Sequence, residues 1–272
     1  IEMGDRDILK YVWDGKIPLC ITLSEDDSLS IGTSEKFYVM IPRMSYLPLL
    51  YDKVRKHFQK FLSKDFQNEE IWMEFNGLPL KWHYPVGLLY DLLGESILPW
   101  NITAHVSKFP EKEIFHCPNK DTLENNVMSS IKEADTLKHR ASVINSLLKQ
   151  DYNQLWSGFL NDRFEQFWSV NRRLMETSSE EMYFKHIPIR IYNFNKPGYL
   201  QPLVRPVDDN DHVLTFGDLL NKVIMKSVPD TGPELIKCLI HGVQPPHDTP
   251  LQWMSEHLSF VDNFLHITIL QQ

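Results

Sequence analysis

Three sets of residues in this 272-residue chain are of types that can do chemistry. His116 and Cys117 are an adjacent imidazole and thiol, the two groups that form an activated nucleophile when a base faces a thiol. Sequence neighbours point apart, however, and Pro118 follows directly, which argues against a catalytic pair. His241, His247 and Asp248 offer nitrogen and carboxylate ligands of the kind zinc takes. They fall in and beside the proline-rich loop VQPPHDTP, where histidines need no ligation to account for them. The third candidate is an amine. SSIKEADTLKHR (129–140) sets Lys132 among serine, alanine, aspartate and threonine, in a chain otherwise rich in tryptophan and phenylalanine. Glycine-rich phosphate loops, HExxH, GxSxG and CxxC motifs are all missing, so no cofactor, metal or enzyme mechanism is indicated.

The element that positions Lys132 can be read from apolar spacing. Over 121–148, Leu123, Val127, Ile131, Ala134, Ala141, Ile144 and Leu148 form one stripe at helical period. Over 151–175, Tyr152, Leu155, Trp156, Phe159, Phe167 and Trp168 do the same, on a helix about 37 Å long if unbroken. Such stripes are buried against something, so the aromatic one is read as core. Lys132 is turned about 100° from Ile131, toward solvent. Met128, Ser129, Asp135 and Thr136 share its face. Asp135 is expected to pair with the ammonium and hold its proton.

Composition excludes several classes. The content is 42% apolar and 24% charged, that of a folded globular chain. A formal charge of −8 argues against a dedicated nucleic-acid binder. Cys20, Cys117 and Cys238, odd in number and widely spaced, fit a reducing compartment. The start IEMGDRDILK lacks the apolar stretch of a secretory signal, and no run approaches a membrane span. A cytosolic protein is expected.

The chain also repeats itself. IPLCI (17–21) matches IPIRI (187–191), and IWMEFNG (71–77) matches IKCLIHG (236–242). Eight residues separate Gly77 from Pro85 and Gly242 from Pro250, and seventeen more lead to Ile102-Thr103 and Ile267-Thr268. In copy one, GKIPLCITL and KFYVMIPR are strands, YLPLLYDKVRKHFQKFL a helix, IWMEF and LPLKWHY strands around Asn76-Gly77. PVGLLYDLL is then a short helix and WNITAHV a closing strand. Copy two has IPIRIYNF, LQPLVRP, the helix TFGDLLNKVI, LIKCLIHG, the helix PLQWMSEHL and FLHITIL. This is the ubiquitin-like β-grasp order. The expected fold is α+β, two ubiquitin-like domains flanking a helix-rich one: 1–110 with an N-terminal helix, 111–185, and 186–272. Gly77 and Gly242 should occupy equivalent turns. Neither copy ends in the Gly-Gly tail of a transferred modifier, so both are read as scaffold.

With FPEK (109–112), KEADTLKHR (132–140), NDRFEQFW (161–168) and LQWMSEHLSF (251–260) with DNFLHI (262–267), the chain closely resembles the autophagy protein 5 family. The resemblance runs from Asp7 to the last strand. It implies a non-catalytic autophagy scaffold whose KEAD lysine, here Lys132, accepts the ubiquitin-like modifier autophagy protein 12 through an isopeptide bond. It further implies non-covalent binding of a helix of autophagy protein 16, expected in a cleft where modules meet. With E2-type enzymes, the conjugate would then act like an E3, promoting lipidation of autophagy protein 8-type modifiers on phosphatidylethanolamine at the phagophore membrane, where association is transient. The different-class alternative is a non-covalent tandem ubiquitin-like adaptor; a cysteine enzyme using Cys117 ranks below both.

Overall fold

The computed structural model describes all residues except 1–3, 29–34, 63–68, 178–180, 194–195, 197, 225–235 and 272. The chain forms two compact units, Asp14–Asn125 and Ile1–Trp13 together with Asn126–Gln272. The helix α1 (Asp5–Asp14) opens the chain and packs within the second of these.

In the first unit, β1 (Lys16–Leu23) and β2 (Phe37–Pro42) form an antiparallel pair. A 3₁₀ turn at Leu47–Leu50 leads into α2 (Tyr51–Phe58), and Leu47, Leu50, Val54, Phe58 and Leu62 are all buried, the stripe their spacing predicts. After it come β3 (Trp72–Phe75), β4 (Leu78–Pro79), α3 (Val86–Leu93) and β5 (Trp100–His105). The strand order is β2-β1-β5-β3-β4, with β1 parallel to β5 at the centre. LPLKWHY is a strand only at its start. Pro79 has no N–H to give, Leu80 donates to Met73 in the last ladder bond, and Tyr84 N–H closes a turn onto Lys81.

The duplication is present in the pairing register. In copy two, β6 (Ile189–Asn193), β7 (Ile236–Leu239) and β8 (Leu265–Gln271) lie in the order β6-β8-β7. Ile21 faces Ile102 across one parallel pair, and Ile191 faces Ile267 across the other. Glu74 and Leu239 likewise oppose Thr103 and Thr268 in the antiparallel pairs. Asn76-Gly77 have φ of 51° and 78°, His241-Gly242 of 52° and 80°, so both hairpins turn through two left-handed residues. Position 241 carries that conformation on a histidine, without the ease asparagine has there. LQPLVRP is not a continuous strand. It meets β6 only through the bridges Ile191–Leu200 and Ile187–Val204, with Pro202 between them unable to donate. Between these bridges and β7, α7 (Phe216–Leu219) starts with Thr215 and Asp218 capping one another and runs into a π turn at Leu220–Ile224.

The helical residues form α4 (Lys120–His139), α5 (Lys149–Leu160) and α6 (Phe164–Met175); α8 (Leu251–Leu258) belongs to copy two. Both expected long helices are broken. The first stops where Arg140 and Ala141 take φ of 54° and 64°; Ile144 is buried beyond the break, but Leu148 is 69% exposed. The second splits at Asp162, φ 52°, into an antiparallel α5–α6 pair. That turn is tight because a Cβ on Gly158 would lie 2.5 Å from the Phe167 nitrogen. Trp13 of α1 sits edge-on to Phe164 and 5.0 Å from Phe167, and Arg6 pairs with Glu165. The opening helix therefore packs on α6.

Gly158→Ala forces α5 and α6 apart, so thermal unfolding should show a loss of roughly 1–3 kcal/mol with the far-ultraviolet circular dichroism unchanged below the transition.

Candidate functional site

α4 starts at a side-chain cap, Asn119 Oδ1 accepting from Thr122 N–H at 2.9 Å. Its buried stripe is Leu123, Val127, Ile131 and Ala134. With that face fixed, Lys132 lies exposed beside exposed Ser129, Glu133 and Thr136. The Thr136 hydroxyl donates to the Lys132 carbonyl at 2.8 Å, and the Lys132 ammonium lies 6.0 Å from the centre of the Tyr152 ring. No carboxylate lies within ion-pair distance of this amine among the described residues.

Asp135 is not its partner. It is 1% exposed, and its Oδ2 accepts from Ile144 N–H at 2.9 Å, tying down the turn after α4. Burial holds its carboxyl above the usual range, with the Ile144 bond opposing. The expected Lys132–Asp135 pair fails because i+3 from Lys132 is also i+1 from Ala134, inside the curve of the buried stripe.

The other two lysines of α4 are committed elsewhere. Lys120 pairs with Asp52 at 2.7 Å. Lys138 is wholly buried, its ammonium 3.1 Å from the Met175 sulfur and 4.8 Å from the Phe184 ring centre. Burial pushes that amine down to about 7, with Glu256 and Asp135 opposing from a distance. The carbonyls of Leu137 and Lys138 accept from His186 and Lys185 N–H, each at 3.0 Å, which satisfies this end of the helix.

Beside Lys132, Glu133 belongs to a network that sequence reasoning missed. Arg190 of β6 donates to Glu133 Oε2 at 2.9 Å and to Gln201 at 3.1 Å, and lies 3.7 Å from Asp262. Its guanidinium stacks 3.7 Å above the Phe264 ring. Asp262 contacts His266 Nε2 at 2.9 Å, and His266 Nδ1 lies 2.9 Å from the Tyr192 hydroxyl. Burial would raise the Asp262 carboxyl, but His266 and Arg190 outweigh it and hold it low. The one signal available was DNFLHI itself, whose Asp262, Phe264 and His266 all serve this network.

The remaining candidates stay apart. The Cys117 thiol is buried and pushed up to about 12, chiefly by burial and then by Glu70, and its sulfur faces the Asn119 carbonyl. His116 turns its two nitrogens to Glu70 and Glu111, at 2.7 and 2.9 Å, which hold its imidazole above the usual range. A thiolate–imidazole pair is therefore not formed. His241 bonds the Leu258 carbonyl and stacks on Phe260, while His247 lies near Phe216. Among the described residues no three His, Cys, Asp or Glu side chains converge as metal ligands, and no helix is long and apolar enough to cross a membrane.

Fold and site define a class: two ubiquitin-like domains with a helical region between them in sequence, whose α4 carries the exposed Lys132. Family models described as Autophagy protein ATG5 match the chain at 12–106 for the UblA domain, 120–177 for the alpha-helical bundle region and 186–269 for the UblB domain. Autophagy protein 5 of Drosophila melanogaster is 45% identical over 267 residues, 97% of each chain. Autophagy-related protein 5 of Caenorhabditis elegans is 33% identical over 98% of each. The crystal structure of Kluyveromyces marxianus Atg5 matches the fold with a TM-score of 0.82 over 97% of this chain and 99% of its own, at 21% identity. The chain belongs to the autophagy protein 5 family, and its role is in autophagy.

Lys138→Met should stabilise the protein at neutral pH by about 1–4 kcal/mol. The native amine is neutral above about 7 while the unfolded chain keeps its proton to about 10.5. The wild type therefore gains stability as pH rises through that window, and Lys138→Met should lack that gain in denaturant titrations at pH 7 and 9.

Proposed function

We propose that this protein is the acceptor of autophagy protein 12, joined at Lys132, and that the conjugate with autophagy protein 16 promotes lipidation of autophagy protein 8-type modifiers on phosphatidylethanolamine. The observation that carries the reading is selective availability: of the three α4 lysines, Lys132 alone is exposed without an acidic partner among the described residues. In the joining step the neutral amine attacks the carbonyl of the modifier's thioester on an E2-type enzyme. The C–N bond forms, the C–S bond breaks, the thiolate leaves with the electron pair, and the amine's proton passes to solvent. The chain supplies the nucleophile and a rigid platform; the thiol chemistry belongs to the enzyme that brings the modifier.

The platform role extends to lipidation. Holding modifier, charged E2 and membrane together raises their effective concentration without a catalytic group on this chain. Autophagy protein 16 would contribute a helix gripped by apolar anchors, a mode in which a few side chains dominate affinity. The scaffold's parts are bounded near residues 110 and 185. The protein works in the cytoplasm and is recruited to the phagophore membrane through its complex.

Lys132→Arg keeps charge and helix but removes the nucleophile. In a reconstituted reaction with E1 and E2 enzymes it should abolish the adduct, seen as a modifier-sized mass increase that survives boiling in reductant and detergent. Conjugation of the variant at the normal rate would return the chain to the non-covalent adaptor reading.

A further inference from the structure

Arg190 is out of place by the logic of its own domain. The repeat supplies the comparison, since Cys20 faces Asn101 in the first copy where Arg190 faces His266 in the second. A small residue suffices at this position of a β-grasp sheet. Copy two instead puts a guanidinium there, buries it, braces it with Asp262 and Phe264, and directs it at α4. Its target is Glu133, the residue after Lys132. Arg190 Nη2 donates to Glu133 Oε2 at 2.9 Å, and Gln201 Nε2 donates to Oε1 at 2.6 Å. Both oxygens of that carboxylate are engaged by the second ubiquitin-like domain, and Ser130, one turn earlier on α4, lies 3.5 Å from Arg190 Nη1.

We propose that Arg190 and Gln201 are positioning residues for the Lys132 amine: by engaging both oxygens of Glu133 they hold that carboxylate on the second ubiquitin-like domain and leave Lys132 without an acidic partner. The proposal rests on Lys132 being the acceptor. An acceptor amine attacks only when unprotonated, and an uncompensated carboxylate one residue away favours the ammonium. Neutralised by a bidentate-capable arginine in a fixed geometry, the same carboxylate has little field left to exert. The second domain thereby sets the chemistry of a nucleophile it does not carry.

The test reads the amine directly, without modifier or enzymes. Full-length protein is acetylated with N-hydroxysuccinimidyl acetate across pH 6.5–9, and Lys132 is quantified against exposed Lys149 by peptide mass spectrometry. In Arg190→Met the local charge falls by one, so the Lys132 profile should move to higher pH by about half a unit, roughly threefold slower at neutral pH, while Lys149 stays put. Adding Glu133→Gln to Arg190→Met should move it back, a reversal that loss of packing would not produce. Should Arg190→Met fail to fold by circular dichroism, Gln201→Leu releases one oxygen of Glu133 with Arg190 in place and should give a smaller shift in the same direction. An unmoved Lys132 profile in the folded variant, or a shift that Glu133→Gln does not reverse, overturns the proposal. A Lys132→Arg protein that still conjugates would instead count against the acceptor reading, whatever the acetylation shows.

Discussion

One constraint sets the rest of the site: α4 has to bury Leu123, Val127, Ile131 and Ala134 on a single stripe. Those four side chains, near zero exposure, fix the helix's rotation, and a residue 100° past Ile131 then has nowhere to point but outward. Full burial of each such side chain is worth about 1.5–3 kcal/mol for the larger ones, so rotating the helix to hide Lys132 would forfeit far more than any surface ion pair returns. The polar groups at the end of the same helix follow from this rotation as well. Asp135 is turned inward and spends its carboxylate on the next turn, and Lys138 is carried into the interior.

The second organising feature is the repeated β-grasp. Each copy places its first and last strands side by side in parallel, which leaves residue 20 or 190 on the face away from its own core. In copy two that face meets α4 through Arg190, and the buried Asn171–Asn263 contact, 3.0 Å, joins α6 to the same segment. The bundle and the second ubiquitin-like domain are thereby joined by buried polar contacts. That kind of contact favours one arrangement over near alternatives, because a buried polar group left unpaired is costly. The DNFLHI stretch is a structural signature as much as a family one.

Much of this was legible in the sequence. Strand and helix order followed from period, and the glycine, proline and Ile-Thr spacings located equivalent turns and strand pairs, because two-residue hairpins and parallel registers leave rigid intervals. The exposure of Lys132 followed from Ile131 and Ala134. What could not be read were breaks and long-range partners. Nothing in the apolar stripe marks Arg140 and Ala141 as left-handed, and Gly158 gives no hint that it admits the backbone of Phe167. Asp135 was misassigned because its true partner, the Ile144 amide, lies beyond a break the stripe concealed. Arg190 finds Glu133 at a separation no local pattern spans, and LQPLVRP lost most of its ladder to Pro202.

The central proposal is that this chain contributes one acceptor amine, Lys132, whose exposure is set by the packing of α4. Its most direct measurement is the location of the branch. Conjugate from a reconstituted reaction is purified, digested with trypsin and sequenced by tandem mass spectrometry, and a single branched peptide carrying the modifier's C-terminal residue on Lys132 is predicted. A branch on Lys149 or another exposed lysine, with Lys132 unmodified, would contradict the account.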